Sequence, residues 1–187
     1  MAYRYPMHVA QNIEIEVHMS NLSTIESTRE KVVLEHMQAE VDKNPLATVN
    51  TFSHPRYEVI PTGEVHNGAQ AVDAFLAESM TAFPDFSFET HHIHHAKEAV
   101  IVETSFSGTH LGSWRGIPPT GKRVNYRMCN IFVFEGDELV CERINFDLLT
   151  ILTQLDVTRD INTTSGKLAL FLNKPYTFAS AWLRQLF

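Results

Sequence analysis

Residues 84–110 read PDFSFETHHIHHAKEAVIVETSFSGTH, and here the period of the chain changes. Before Pro84, apolar side chains recur every three or four residues. After it they recur every two, the repeat of an extended strand. Phe86 and Phe88 fall on one side. Over AVIVETSFSGTH, Val100, Val102, Thr104, Phe106 and His110 share one face, and Ile101, Glu103, Ser105 and Ser107 the other. Two more strands follow, KRVNYRMCNIFVF and ELVCERINF, joined by a turn at Gly136-Asp137. Strands this close in sequence pair as an antiparallel meander.

Upstream the pattern is helical. Ser23 and Glu26 have the spacing of a capping box, and Val32, Val33, His36, Met37 and Val41 recur near the helical period. Pro45 suits the first turn of a second, short helix. RYEVIPTGEVHNG reads as a hairpin about a Pro-Thr-Gly turn. AQAVDAFLAESMTAF carries Val72, Phe75, Leu76 and Met80 on one stripe and closes at Pro84. DLLTILTQL is a short helix after the last strand. Helices first and a curled sheet afterwards define an α+β fold with helices against one sheet face. A concave sheet face either fills with side chains or leaves a pocket.

Residues 1–22 read as an N-terminal arm in which IEIEV alternates like a short strand. Residues 23–156 form the domain. Residues 157–187 are an extension, polar at first and then apolar and aromatic, expected to pack on the domain or on a partner subunit.

Of the 187 residues, 44% are hydrophobic and 20% charged, which suits a packed core. A net charge of −7 argues against nucleic acid. No run approaches the ~20 apolar residues of a membrane span, and the first residues lack the apolar run of a signal peptide. A soluble, cytoplasmic protein is expected. Cys129 and Cys141 lie inside strands and read as small buried hydrophobes. PPTGKRV lacks the spacing of a phosphate loop.

The stretches PDFSFE, SGTHLGSWRGIPPTGKRV, FEGDELV and ERINFDLLTILTQL, in this order, resemble the SnoaL-like polyketide cyclase (ester cyclase) family of the NTF2-like superfamily. The resemblance covers roughly residues 23–155. It implies an NTF2-like α+β cone and a homodimer packed sheet to sheet. It also implies an aspartate acid/base at the end of the last strand, carried over to Asp147, with a nearby pocket histidine carried over to His110. The usual Gln-Leu-Gly ending reads Gln154-Leu155-Asp156 here.

Such a pair needs no metal, no lysine Schiff base and no nucleotide, so no cofactor is expected. A buried carboxylate can remove a proton from carbon flanked by carbonyls, and a histidine can hydrogen-bond the developing enolate. Asp147 could equally cap the helix that follows it, and His110 could be held by backbone. The substrate class implied is a hydrophobic, carbonyl-bearing small molecule. His54, after the second helix, is a candidate substrate contact. Trp114 could lie over a pocket mouth or pack on the rim. Tyr126, Met128 and Asn130 share one strand face, Arg127 and Cys129 the other. Phe132 and Phe134 favour the first set inward; Ile131 and Val133 favour the second. Tyr126 and Asn130 are substrate contacts in the first arrangement. Glu142 and Arg143 read as a solvated or interface pair.

In a regular strand His92 and His94 share one face, and His91 and His95 the other. No further ligand is selected by spacing, so no metal site is expected. Two rival readings stand beside the cyclase: a non-catalytic NTF2-like binding or dimerisation module, and epoxide hydrolysis. The second needs two carboxylates around a cation, for which the sequence offers Asp147 with Arg127 or Arg143.

Overall fold

A computed structural model describes residues 23–184; the arm expected at residues 1–22 lies outside them. Helix α1, Thr24–Val41, starts where the sequence indicates. The Ser23 side chain accepts from Glu26 N, and the Glu26 carboxylate accepts from Ser23 N at 2.9 Å. Helix α2, Pro45–Asn50, has Pro45 in its first turn and an Asn44 cap. Strands β1, Arg56–Val59, and β2, Glu64–Asn67, form the expected hairpin, turned by Gly63 at φ 71°. Helix α3, Ala69–Ala82, buries Val72 and Leu76.

Strands β3 (Ser87–Ala96), β4 (Ala99–Thr109), β5 (Arg123–Glu135) and β6 (Glu138–Phe146) form the antiparallel meander. Across the whole sheet the strand order is β2-β1-β6-β5-β4-β3. One junction departs from the antiparallel rule: β1 pairs with β6 in parallel, Tyr57 opposite Glu142 and Val59 opposite Ile144. No hairpin joins these two strands, so their direction is free of turn constraints.

Helices α1 and α3 cover the concave face. One core cluster includes Val33, Met37, Tyr57, Val102, Phe132 and Phe134; a second gathers Phe83, Phe106, Trp114, Val124, Ile151 and Leu155. The face of β5 left open by its sequence is thereby decided: Tyr126, Met128 and Asn130 look inward with Phe132.

A register shift between Thr90 and His92 breaks the alternation expected for the histidines. His91 therefore bonds Ser105 on the outer face, at 2.7 Å, and does not join His95. His94 pairs with Glu103 at 3.2 Å, also outside, while His95 reaches Glu30 of α1 at 2.7 Å.

Helix α4, Leu148–Gln154, follows β6. Helices α5, Thr164–Asn173, and α6, Pro175–Leu183, follow. They meet through Phe171 and Phe178, ring centroids 6.1 Å apart, and leave Leu168, Leu172 and Tyr176 exposed. Among the described residues no helix is long and apolar enough to cross a membrane. Cys129 is half-buried and Cys141 buried, both as free thiols.

Candidate active site

Between α1, α3 and the concave sheet face lies a cavity of about 650 Å³, counted out to its mouth. Its walls are apolar: Leu76, Phe88, Phe106, Met128, Ile144 and Phe146. Polar groups sit in two places. Glu40, Asn130 and Glu142 line one part, and Arg115 and Tyr126 line another, beside Trp114.

The first group is built by three elements. His36 and Glu40 are one turn apart on α1, so they share a helix face. Glu142 lies on β6, and the parallel register brings Tyr57 of β1 beside it. Thr51 donates its hydroxyl to Thr48 O at 2.7 Å and so accepts from His36 Nδ1, also at 2.7 Å. Tyr57 donates to Glu40 Oε1 at 2.8 Å. With that proton committed, the Tyr57 oxygen accepts from His36 Nε2 at 2.8 Å, and Glu142 Oε2 lies 3.1 Å from the same nitrogen. Both ring nitrogens face acceptors, so the imidazolium is the form that satisfies them.

The electrostatics agree. Burial pushes His36 down, but the hydrogen bonds and charges of Glu142 and Glu40 together outweigh it and hold its pKa at about 9. Burial raises the Glu142 carboxyl, partly offset by the His36 hydrogen bond. Burial, then the neighbouring carboxylates, raise Tyr57 well above its ordinary value.

His36, Glu40 and Glu142 also place one donor atom each within 4.8 Å of one another, a set that could hold a divalent cation. A cation there would have to displace the His36 proton and compete with the Tyr57 hydroxyl. The hydrogen bonds already made fit proton chemistry better.

The residues singled out in the sequence divide. Trp114, Tyr126 and Asn130 line the cavity. Asp147, His110 and His54 are not among its lining residues. Asp147 is exposed and caps α4, accepting from Leu149 N at 2.9 Å and from the Thr150 hydroxyl at 2.6 Å. The Thr150 hydrogen bond, followed by weaker backbone ones, lowers its pKa despite slight desolvation, the reverse of a buried acid. His110 is fully buried against Phe83, ring centroids 5.2 Å apart, and burial lowers its pKa. It closes the neck of the glycine-rich loop: its N donates to Lys122 O at 2.8 Å and its O accepts from Gly121 N at 2.9 Å. His54 is exposed and bonds Asn67 Oδ1 at 2.9 Å. Arg143 pairs with Glu58 at 2.8 Å and Arg127 with Glu103 at 3.4 Å, so neither arginine forms a carboxylate–cation–carboxylate cluster with Asp147.

The reading of Glu142 with Arg143 as a solvated or interface pair is corrected for Glu142. Arg143 is exposed, but Glu142 is 1% exposed and faces the cavity. Period-two alternation places Glu142 with Ile144 and Phe146, and the i,i+4 pair His36/Glu40 lies on the apolar stripe of α1. Those were the two signals that could have found the cluster.

The sequence profile of the SnoaL-like polyketide cyclase family matches residues 31–155. No curated protein matches the chain. A protein of Jannaschia sp. CCS1 described as a SnoaL-like polyketide cyclase has the same fold, with a TM-score of 0.66 at 20% identity, over 72% of this chain and 96% of that one. AclR of Streptomyces galilaeus gives 0.62 at 20% identity, over 84% and 95%. SalBIII, described as an epoxide hydrolase/cyclase-like enzyme in pyran ring formation, gives 0.57 at 18% identity, over 67% and 95%. The structures show a shared NTF2-like, ketosteroid isomerase-like fold. By the match over residues 31–155, the chain belongs to the SnoaL-like polyketide cyclase family.

Proposed function

We propose that the protein is a cofactor-independent, cyclase-type enzyme whose proton-transfer group is Glu142, held by His36, Tyr57 and Glu40, acting on a hydrophobic carbonyl compound. The observation that carries this reading is a carboxylate 1% exposed, facing an apolar cavity and hydrogen-bonded to a buried histidine. Family membership supports the reaction type.

In the aldol reading, Glu142 removes a proton from carbon beside a carbonyl. The C–H electron pair becomes the enolate, whose oxygen takes a hydrogen bond from the Asn130 amide. The enolate carbon attacks a second carbonyl of the same molecule, a C–C bond forms, and the new alkoxide recovers the proton from Glu142. A raised carboxyl pKa strengthens the base and eases the return of the proton. His36, as an imidazolium, keeps the carboxylate from being protonated outright.

One observation favours a second reading. Glu40, His36 and Glu142 place a cation between two carboxylates, the arrangement that epoxide opening asks for, and SalBIII shares the fold. One carboxylate would take a proton from the attacking hydroxyl while the other acid protonated the epoxide oxygen.

The test of the leading reading is deuterium exchange into the methyl group of 2-acetylnaphthalene in heavy water, followed by NMR. General-base loss typically costs 10²–10⁴-fold, so Glu142→Gln should lose at least about 100-fold. Asp147→Asn should stay close to the parent. The opposite pattern would return the role to Asp147. A protein that catalyses no exchange but opens aryl epoxides would support the second reading.

A further inference from the structure

Arg115 is fixed more firmly than a loop arginine needs to be. Its backbone lies at φ 51°, a strained value for a residue with a side chain. Its N donates to Glu78 Oε1 at 2.8 Å. Its two terminal nitrogens grip Glu64 of β2 at 2.7 and 2.5 Å. Its guanidinium carbon lies 5.4 Å from the centroid of the Trp114 ring. The side chain lines the cavity, and its Nε is buried without a partner. A buried unpaired donor is unfavourable, and a ligand acceptor would relieve it.

Tyr126 is the neighbouring polar group. Its ring stacks on Phe106, centroids 5.0 Å apart, and it lines the same cavity. Burial pushes its phenol up and the charge of Arg115 draws it back, with no hydrogen bond contributing. Tyr126 and Asn130 are four residues apart on one face of β5, ~13 Å at the rise of a strand. The cavity therefore has two polar poles separated by aromatic walls.

We infer that Arg115 Nε and the Tyr126 hydroxyl form a second recognition pole, which holds an acceptor oxygen of an uncharged ligand at the end of the cavity away from Glu142. The inference rests on the reading of this cavity as the substrate site of Glu142. Charge decides against an anion. Glu64 already neutralises Arg115, and Glu40 and Glu142 face the same space. A neutral oxygen accepts from Nε without disturbing the Glu64 pair. Arg115 and Tyr126 thereby act as specificity determinants that set which end of the molecule reaches Glu142.

The probes are 2,6-diacetylnaphthalene and 2-acetyl-6-isopropylnaphthalene, near-isosteric and differing by one carbonyl oxygen, titrated by quenching of tryptophan fluorescence. The parent protein should prefer the diketone by about tenfold, the size of one or two hydrogen bonds. Arg115→Lys keeps a cation for Glu64 but has no Nε–H, and Tyr126→Phe removes only the hydroxyl. Each should reduce the ratio toward one while leaving affinity for the isopropyl compound unchanged. Glu142→Gln should keep the ratio and lose deuterium exchange. A parent ratio near one, or a ratio untouched in both mouth variants, overturns the inference and leaves Glu142 standing if exchange persists. If neither probe binds and no exchange occurs, the cavity reading fails and takes this inference with it.

Discussion

His36 Nε2 lies 3.1 Å from Glu142 Oε2, a contact between residues 106 apart in the chain, and the Tyr57 hydroxyl is 2.8 Å from the same nitrogen. Helix α1 and strands β1 and β6 must all be in place for it to form. Burying such a pair costs desolvation that only good hydrogen bonding offsets. A domain selected for stability alone would do as well with apolar side chains here. Glu142 of the pair lines the cavity, and in the proposed mechanism it supplies the base, a role that would account for the cost.

The pair should make stability fall as pH rises. His36 is held at about 9 in the folded protein against an ordinary 6.5. Its contribution is fully present below pH 6.5 and is lost as pH climbs through 9. The raised Glu142 carboxyl acts in the same direction, because the folded state favours its protonated form. Thermal melts from pH 6 to 9.5 should therefore show a steadily falling Tm. His36→Gln should be less stable at pH 6 and should fall less steeply across that range, with Glu142 still titrating. Equal slopes for parent and variant would remove His36 as the titrating group.

Asp147 should behave as a helix cap. Asp147→Ala loses acceptors for Leu149 N and the Thr150 hydroxyl, which costs about 1 kcal/mol. In a chain of this size that is a Tm drop of about 2–4 °C. Asp147→Asn, an equally good cap, should melt like the parent. Because the carboxyl pKa is lowered, this contribution is present above the ordinary value and fades as pH falls through the folded one. A full-sized loss of exchange in a stable Asp147→Asn protein would give Asp147 the base role in addition to the cap.

The fold was legible because each of its signals is local. The Ser23/Glu26 box, Pro45, the Pro-Thr-Gly turn and the change of period at Pro84 each act within a few residues, and each holds in the structure. The site was less legible because it depends on registers that no short window contains. Glu142 beside Arg143 looks like any surface pair until β1 docks in parallel on β6 and Tyr57 covers it. The shift at Thr90/His92 likewise moves His91 to the outer face, which no alternation count reveals. Asp147 and His110 sit in the motifs most easily matched by eye, and there Asp147 caps α4 and His110 bonds across the loop neck. For Tyr126 and Asn130 the sequence offered two bulky strand faces, and only the packing of Phe132 in the core shows which of them lines the cavity.

Arg29 should matter to stability and not to chemistry. It is 5% exposed and donates to the carbonyls of Gly136 and Lys97, tying the β5–β6 and β3–β4 turns to α1. Arg29→Met leaves those carbonyls without their charged donor, at a cost of ~2–4 kcal/mol. The urea midpoint should fall accordingly, with exchange per folded molecule unchanged. A midpoint within error of the parent would mean that water replaces the arginine freely.

The glycine-rich loop should fail at one position more than at any other. A Cβ on Gly112 would stand 2.4 Å from Thr81 O and 3.1 Å from Ala82 Cα, both backbone at the end of α3. Those atoms cannot swing aside as a side chain would. Gly112→Ala must lift the loop and stretch the bonds that Leu111 N and Gly112 N make to Ala82 O, now 2.8 and 3.2 Å. Overpacking of this kind costs ~1–3 kcal/mol. It should also move Trp114 and Arg115, so the preference for a second carbonyl should shrink along with the Tm. Gly116→Ala is the control: it meets no atom within 4 Å but sits at φ 76°, so it should cost only ~1 kcal/mol of backbone strain and leave binding selectivity alone. If Gly112→Ala and Gly116→Ala lose stability equally and neither alters selectivity, close contact with α3 does not set the position of the loop, and Arg115 is placed by its Glu64 and Glu78 partners alone.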